Sequence, residues 1–236
     1  MRLAAVGDLH FHVGKRGHLR PHLAKLEERA SALLLAGDLT CHGTTAEAEV
    51  LAEELRGVKV PVVAVLGNHD YDAGKEGEIR RLFQDVGVVV LEGESFVLDL
   101  EGKRLGVVGV KGFGGGFKGA CASDFGEPEM KAFIRTTRRV SESLGERLAG
   151  LQAECDRRVA LLHYSPIPGT LVGERLEIYP FLGSYLLGDA VERGGCDLVI
   201  HGHSHRGTKK GNIGEVPVLN VAQPLIGEPF ATFTLG

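Results

Sequence analysis

Leu3-Ala4-Ala5-Val6-Gly7-Asp8-Leu9-His10 is an apolar run that stops at a small residue and then presents a carboxylate and an imidazole. The pattern recurs at Ala32-Leu33-Leu34-Leu35 before Gly37-Asp38, and at Val62-Val63-Ala64-Val65-Leu66 before Gly67-Asn68-His69-Asp70. It returns at Val159-Ala160-Leu161-Leu162 before His163, and at Leu198-Val199-Ile200 before His201-Gly202-His203-Ser204-His205. Short apolar runs with helical stretches between them read as buried strands of an α/β sheet, whose functional residues gather just beyond the strand carboxyl ends. The five tips are therefore expected to meet at one place.

Asp8, His10, Asp38, Asn68, His163, His203 and His205 supply only oxygen and imidazole nitrogen. Such a set is too rich for one divalent ion and suits two. In an extended strand end, Asp8 and His10 point the same way and can pinch one ion, and His203 and His205 are also spaced two apart. Gly202 permits a tight turn between strand and loop.

The rest of the chain frames this site. Its 236 residues are enough for one α/β domain spanning 1–236, with no internal repeat and no Pro/Ser-rich linker. A net charge of −4 argues against an extended nucleic-acid surface. The opening apolar run is too short for a signal-peptide core and nothing approaches a membrane span, so a soluble, cytoplasmic protein is expected. Cys41, Cys121, Cys155 and Cys196 form no C-x-x-C pair and read as reduced thiols.

Helical spacing predicts a helix over His18 to Ala30 and another over Thr44 to Arg56, the second opened by a Thr44–Glu47 capping box. A helix through Ile79 to Val86 leads to a strand at Val88–Val90. Alternation on either side of Glu101-Gly102 predicts a β-hairpin of Ser95–Leu100 and Lys103–Val110. Met130, Phe133, Ile134, Thr137, Val140, Leu144, Leu148 and Leu151 mark one face of a long helix entered at Pro128. Val216–Val221 and Phe230–Leu235 read as two last strands.

The ordered set Asp8-Leu9-His10, Gly37-Asp38, Gly67-Asn68-His69-Asp70, His163 and Gly202-His203-Ser204-His205 resembles the D-x-H, G-D, G-N-H-D, H and G-H-x-H series of the calcineurin-like metallophosphoesterases. The resemblance implies a four-layer αββα sandwich of two mixed β-sheets flanked by helices. It assigns Asp8, His10, Asp38 and His205 to one metal and Asp38, Asn68, His163 and His203 to the other, with Asp38 bridging. It makes His69 the group that stabilises charge on the substrate or protonates the leaving oxygen, with Asp70 orienting it. The implied chemistry is hydrolysis of a small phosphate-ester substrate by in-line attack of a hydroxide shared by two divalent ions. Manganese, iron or zinc suits such ligands.

Gly37-Asp38-Leu39-Thr40 lacks the arginine-bearing continuation of Ser/Thr protein phosphatases, and no tyrosine stands where purple acid phosphatases place a ligand. Small phosphodiesters, cyclic nucleotides included, are the expected substrates. Phosphomonoester hydrolysis, a DNA or RNA exonuclease and a catalytically silent scaffold are the competing readings. Gly112 to Gly119 contains G-x-G-x-x-G but does not open into a helix, so it reads as a lid or a turn near the site, with Lys118 a phosphate contact. Arg206, beside His205, is a candidate for a distal phosphate, and His42 for the pocket border. His201 is expected to support the site without binding metal. Ile178 to Leu182 reads as a contact surface or pocket wall, and the sequence leaves the oligomeric state open.

Overall fold

A computed structural model describes residues 1–236. The first half of the chain runs β1 (Arg2–Val6), α1 (Arg20–Leu23), α2 (Leu26–Arg29), β2 (Ala32–Ala36), α3 (Thr45–Leu55), β3 (Val62–Val65), α4 (Glu76–Gln84) and β4 (Val88–Val90). It continues through β5 (Glu94–Leu100), β6 (Lys103–Val110) and the short β7 (Gly116–Phe117) and β8 (Ala120–Cys121). The second half runs α5 (Pro128–Gly150), β9 (Arg157–Leu162), α6 (Tyr179–Leu182), α7 (Tyr185–Gly194), β10 (Leu198–His201), β11 (Lys210–Ile213), β12 (Val216–Asn220), α8 (Gln223–Ile226) and β13 (Ala231–Thr234).

These strands build two mixed sheets, in the orders β13-β1-β2-β3-β4 and β11-β12-β10-β9-β6-β5. Strands β1 to β4 are parallel and β13 pairs antiparallel with β1. In the second sheet β6, β9, β10 and β12 are parallel, with antiparallel β5 and β11 at the edges. Strand period 2 explains the layering. Leu3, Ala5, Leu34 and Val63 join Leu105, Val107, Leu161 and Ile200 in the core between the sheets. The alternate residues Ala4, Val6, Leu33 and Leu35 pack outward on Leu51, Leu55, Ile79 and Phe83 of α3 and α4. Val108, Ala160 and Leu162 do the same on the other side, against Leu144, Leu148, Leu187 and Val191 of α5 and α7. Two mixed sheets flanked by helices are the architecture the sequence predicts.

Local signals hold in detail. Thr44 and Glu47 form the reciprocal capping box that starts α3. Glu101 and Gly102 both take positive φ, 54° and 80°, as the tight hairpin between β5 and β6 requires. The predicted helix over His18 to Ala30 differs: it is broken at Lys25 into single turns. One-turn helices do not meet the cost of nucleation on their own. Burial of Leu19, Leu23 and Leu26 holds these in place, together with the Glu54 carboxylate, which accepts the N–H groups of Gly17, Leu19 and Arg20 at 2.6, 3.0 and 2.8 Å. Strands β7, β8 and β11 were not expected from the sequence. No helix is long and apolar enough to cross a membrane.

Glu54→Ala would leave three backbone donors without an acceptor, one of them buried at Leu19. It is expected to destabilise the protein by about 1–3 kcal/mol in urea unfolding. Glu53→Ala, next to it but in an exposed ion pair with Arg20 and Arg56, should leave the midpoint unchanged.

Candidate metal centre

Parallel pairing puts the carboxyl ends of β1, β2 and β3 side by side in one sheet and those of β9 and β10 side by side in the other. Asp8, Asp38 and Asn68 leave the first set, and His163 and His203 leave the second. Gly67 and Gly202 allow these tips to close on each other. A Cβ on Gly67 would lie 2.1 Å from an Asp38 carboxylate oxygen, and one on Gly202 would lie 2.3 Å from Asp8. Neither glycine can be replaced without moving a carboxylate.

The cluster that results is continuous. Asp8 Oδ1 is 2.9 Å from His205 Nε2, and Asp38 Oδ2 is 3.8 Å from His10 Nε2. His163 Nε2 is 3.3 Å from Asp38 Oδ1 and 3.0 Å from Asn68 Oδ1. The rings of His163 and His203 are 4.6 Å apart and those of His10 and His205 5.4 Å. Two groups, Asp8 with His10 and His205 and Asp38 with His163 and His203, each offer ligand atoms within 4.8 Å of one another. His10 and Asp38 also fall in a third such group with His69, so Asp38 touches both sides of the site. All seven sequence-predicted ligands come together.

Several features fit a bound cation. Asp8 and Asp38 are each 1% exposed, and histidines are the only cationic side chains within ion-pair distance of them. A buried carboxylate without strong compensation is costly. His10 Nε2 is buried with no hydrogen-bond partner and faces the cluster, 3.8 Å from Asp38 Oδ2. Neighbouring groups already set the ring orientations. His163 Nδ1 donates to the Ala36 carbonyl at 2.9 Å, and His203 Nε2 donates to the Phe181 carbonyl at 3.2 Å. Each ring thereby keeps its other nitrogen for a ligand bond.

The backbone bears the same mark. Five non-glycine residues have left-handed φ, and four are Asp8 (57°), His10 (42°), Asp38 (49°) and His203 (68°). This conformation costs on the order of 1 kcal/mol or more per residue and persists where the surroundings impose it.

Protonation follows from the crowding. Burial works against an imidazolium at His163, but the Asp38 carboxylate outweighs it and lifts its pKa to about 9. Asp38 is itself held well below the usual carboxylate range, burial being outweighed by His163. Burial and the charge of His163 push His203 down to about 3, and burial takes His201 down to about 4. The hydrogen bond to Asp8 raises His205, and burial lowers His10.

His69 and Asp70 are arranged differently from expectation. His69 is half-buried, with Nε2 4.0 Å from Asp38 Oδ2. Its Nδ1 donates to the Cys41 carbonyl at 3.0 Å and lies 3.1 Å from Asp72. Asp70 does not orient it. That carboxylate is fully buried and accepts from the N–H groups of Leu39, Thr40 and Gly67 and from the Thr40 hydroxyl. It ties the Gly37-Asp38 loop to the Gly67-Asp70 loop; burial and the charge on Asp38 push its pKa up while these donors oppose that.

Of the three predicted substrate contacts, Lys118 and His42 are engaged elsewhere. Lys118 pairs with Asp189 at 3.1 Å and lines another cavity with Pro166 and Asn212. The exposed His42 ring bonds to Glu47 of the α3 cap at 2.9 Å. Arg206 is exposed beside His205, its backbone N–H donating to Glu174. His201 is fully buried, bonded to the Gly202 carbonyl and to Thr170 Oγ1, as a supporting residue should be. The Gly112–Gly119 segment is pinned by Gly115 and Gly116 N–H bonds to the Pro180 and Gly183 carbonyls, which makes it part of the wall. Sequence reading missed Tyr164, whose ring lies 4.4 Å from that of His203, and Lys111 and Tyr71 nearby. Tyr71 follows the third motif by one residue and Lys111 ends the apolar run of β6, so the signals were present.

The raised pKa of His163 has a consequence for metal-free protein. Its contribution to stability is fully present below the ordinary histidine value of 6.5 and is lost as pH rises through about 9. The thermal midpoint of metal-free protein should therefore fall between those pH values, and divalent metal, which takes the neutral imidazole, should flatten the slope. A metal-free midpoint independent of pH over that window would contradict a charged His163–Asp38 pair.

A family model described as calcineurin-like phosphoesterase matches residues 1–207. Among solved structures, the phosphopantetheinyl hydrolase of Mycobacterium tuberculosis is similar over 93% of this chain and 88% of its own, with 19% identity and a TM-score of 0.66. A putative 5'-nucleotidase from Staphylococcus aureus aligns with 93% of this chain and 48% of its own, at 15% identity and TM-score 0.59. The protein TT1561 of Thermus thermophilus covers 99% of this chain and 98% of its own, at 15% identity and TM-score 0.56. At such identities these likenesses concern the fold. No curated protein matches the sequence. With the family match spanning the five motifs and the histidine–aspartate cluster they build, the chain belongs to the calcineurin-like phosphoesterases and is a metal-dependent phosphoesterase.

Proposed function

We propose that this protein hydrolyses small phosphodiesters at a centre of two divalent ions. The observation that carries the reading is the shared position of Asp38, in reach of His10 on one side and of His163 on the other. Asp8, His10, Asp38 and His205 would hold one ion, and Asp38, Asn68, His163 and His203 the other. The all-oxygen-and-imidazole donor set suits manganese, iron or zinc. When bound, such ions supply Lewis acidity to the phosphoryl oxygens and acidify a water to near neutrality.

The chain's own residues supply the rest. Asn68 adds a neutral oxygen where Asp38 already brings charge. His69, its Nδ1 committed to the Cys41 carbonyl, presents Nε2 toward the centre and can hold a proton for the departing alkoxide oxygen. Asp70 acts at a distance from the substrate by fixing the two loops that carry Asp38 and Asn68. A diester has two substituents to place, and a cavity of about 430 Å³ lined by Tyr71, Lys111 and Phe113, with Tyr71 in the same turn as His69, would take one.

Manganese-reconstituted protein should cleave bis(4-nitrophenyl) phosphate in preference to 4-nitrophenyl phosphate, with a metal-free control inactive. Asp38→Ala should lose both ions by elemental analysis. His69→Ala should keep both and lose about 10²- to 10⁴-fold in kcat. Metal loss in His69→Ala would overturn its assignment, and faster cleavage of the monoester would overturn the diester preference.

A further inference from the structure

The cavity lined by Tyr71, Lys111 and Phe113 carries a charge pattern of its own. It lies between α5, the end of β6 and the turn of His69 to Tyr71, and encloses about 430 Å³. That volume suits part of a small organic ligand. Lys111 forms one wall, half-buried, its ammonium 3.9 Å from the Tyr71 ring centroid and 5.6 Å from that of Phe113. It forms no ion pair. Glu92, which also lines the cavity and attracts Lys111 from beyond ion-pair distance, is engaged by the Tyr71 hydroxyl and by the Leu66 N–H.

The opposite wall supplies a second unpaired cation. Arg135 and Arg138 on α5 both face Asp124, at 3.4 and 3.3 Å. Arg139, one residue on, lines the cavity and has no carboxylate partner. The cavity thus holds a half-buried ammonium against aromatic faces and an exposed guanidinium, neither in an ion pair, so both are open to an anionic ligand. The guanidinium fork suits a phosphate, which can take two parallel bonds from it.

The cavity is joined to the metal centre. The Lys111 carbonyl accepts the N–H groups of His163 and Tyr164, both at 3.0 Å. The Tyr164 ring stands between Phe113 and His203, at 6.0 and 4.4 Å from them. Tyr71 lies two residues past His69 in the same turn. Tyr71, Phe113, Lys111 and Arg139 line the cavity together.

We propose that this cavity is a specificity pocket for a second, uncleaved phosphate: the preferred substrates are phosphate esters bearing a further phosphoryl group, held by Lys111 and Arg139. The proposal rests on the metal centre as the place of the scissile phosphate.

The test compares adenosine 3',5'-bisphosphate with adenosine 5'-monophosphate as inhibitors of bis(4-nitrophenyl) phosphate turnover by manganese-loaded protein, with calorimetric titration of both ligands alongside. The bisphosphate should bind about tenfold or more tightly than the monophosphate. Lys111→Met and Arg139→Gln should each remove most of that advantage and have little effect on the monophosphate. Arg138→Gln, which alters a residue facing Asp124, should leave the ratio as it is. Arg139 sits on the exposed side of α5, so its variant tests the pocket even where Lys111→Met fails to fold. Equal binding of the two nucleotides, or an unchanged ratio in Arg139→Gln, would overturn the pocket. Failure of the wild type to cleave the nitrophenyl ester would instead overturn the reading of the centre, and calorimetry would still decide the pocket.

Discussion

Two buried carboxylates, Asp8 and Asp38, set the terms for the rest of the molecule. Neither has a lysine or arginine within ion-pair distance. Each faces imidazoles contributed from the other sheet: His205 for Asp8 and His163 for Asp38. Their charge can be carried inside the protein only if the ends of β1 and β2 stay against those of β9 and β10. The sandwich core between the sheets keeps them there, and the glycines at 67 and 202 allow the last few ångströms of approach.

That arrangement stores cost where the chemistry is. Left-handed φ at Asp8, His10, Asp38 and His203 and an unpartnered nitrogen on His10 work against the metal-free fold, which the charged His163–Asp38 pair supports. Under the proposed function a cation would use the unpartnered nitrogen of His10 and take the place of the proton on His163. The strained backbone is then the geometric condition for several ligands to converge. Asp70 belongs to the same design: its four donors lock the loop of Asp38 to the loop of Asn68, so the fold itself holds both side chains in place.

Much of this was legible in the chain. Apolar runs ending in Gly-Asp, Gly-Asn-His-Asp or Gly-His-Ser-His marked the strand tips, because a buried parallel strand must be apolar throughout and its ligands can only follow it. The long period of α5 and the Thr44–Glu47 cap were equally plain. What escaped had a physical reason. The segment from His18 to Ala30 has helical spacing, yet its backbone is arranged by Glu54, more than thirty positions away in the chain. Asp70 stands next to His69 in sequence, but the 3₁₀ turn there sends adjacent side chains apart. Lys118 sits in a glycine-rich stretch that suggested a phosphate contact, and Asp189 on α7 draws it elsewhere. Lys111 ends an apolar run as the metal ligands do, and only the pairing of β6 with β9 shows that this sixth tip adjoins the centre.

The proposed function turns on Asp38 being shared between two ions. Low-temperature electron paramagnetic resonance of the manganese-loaded protein tests it most directly, because two Mn²⁺ ions joined by one carboxylate are exchange-coupled. A coupled dimanganese spectrum at two ions per chain is predicted. The spectrum of isolated Mn²⁺ at full occupancy would contradict it.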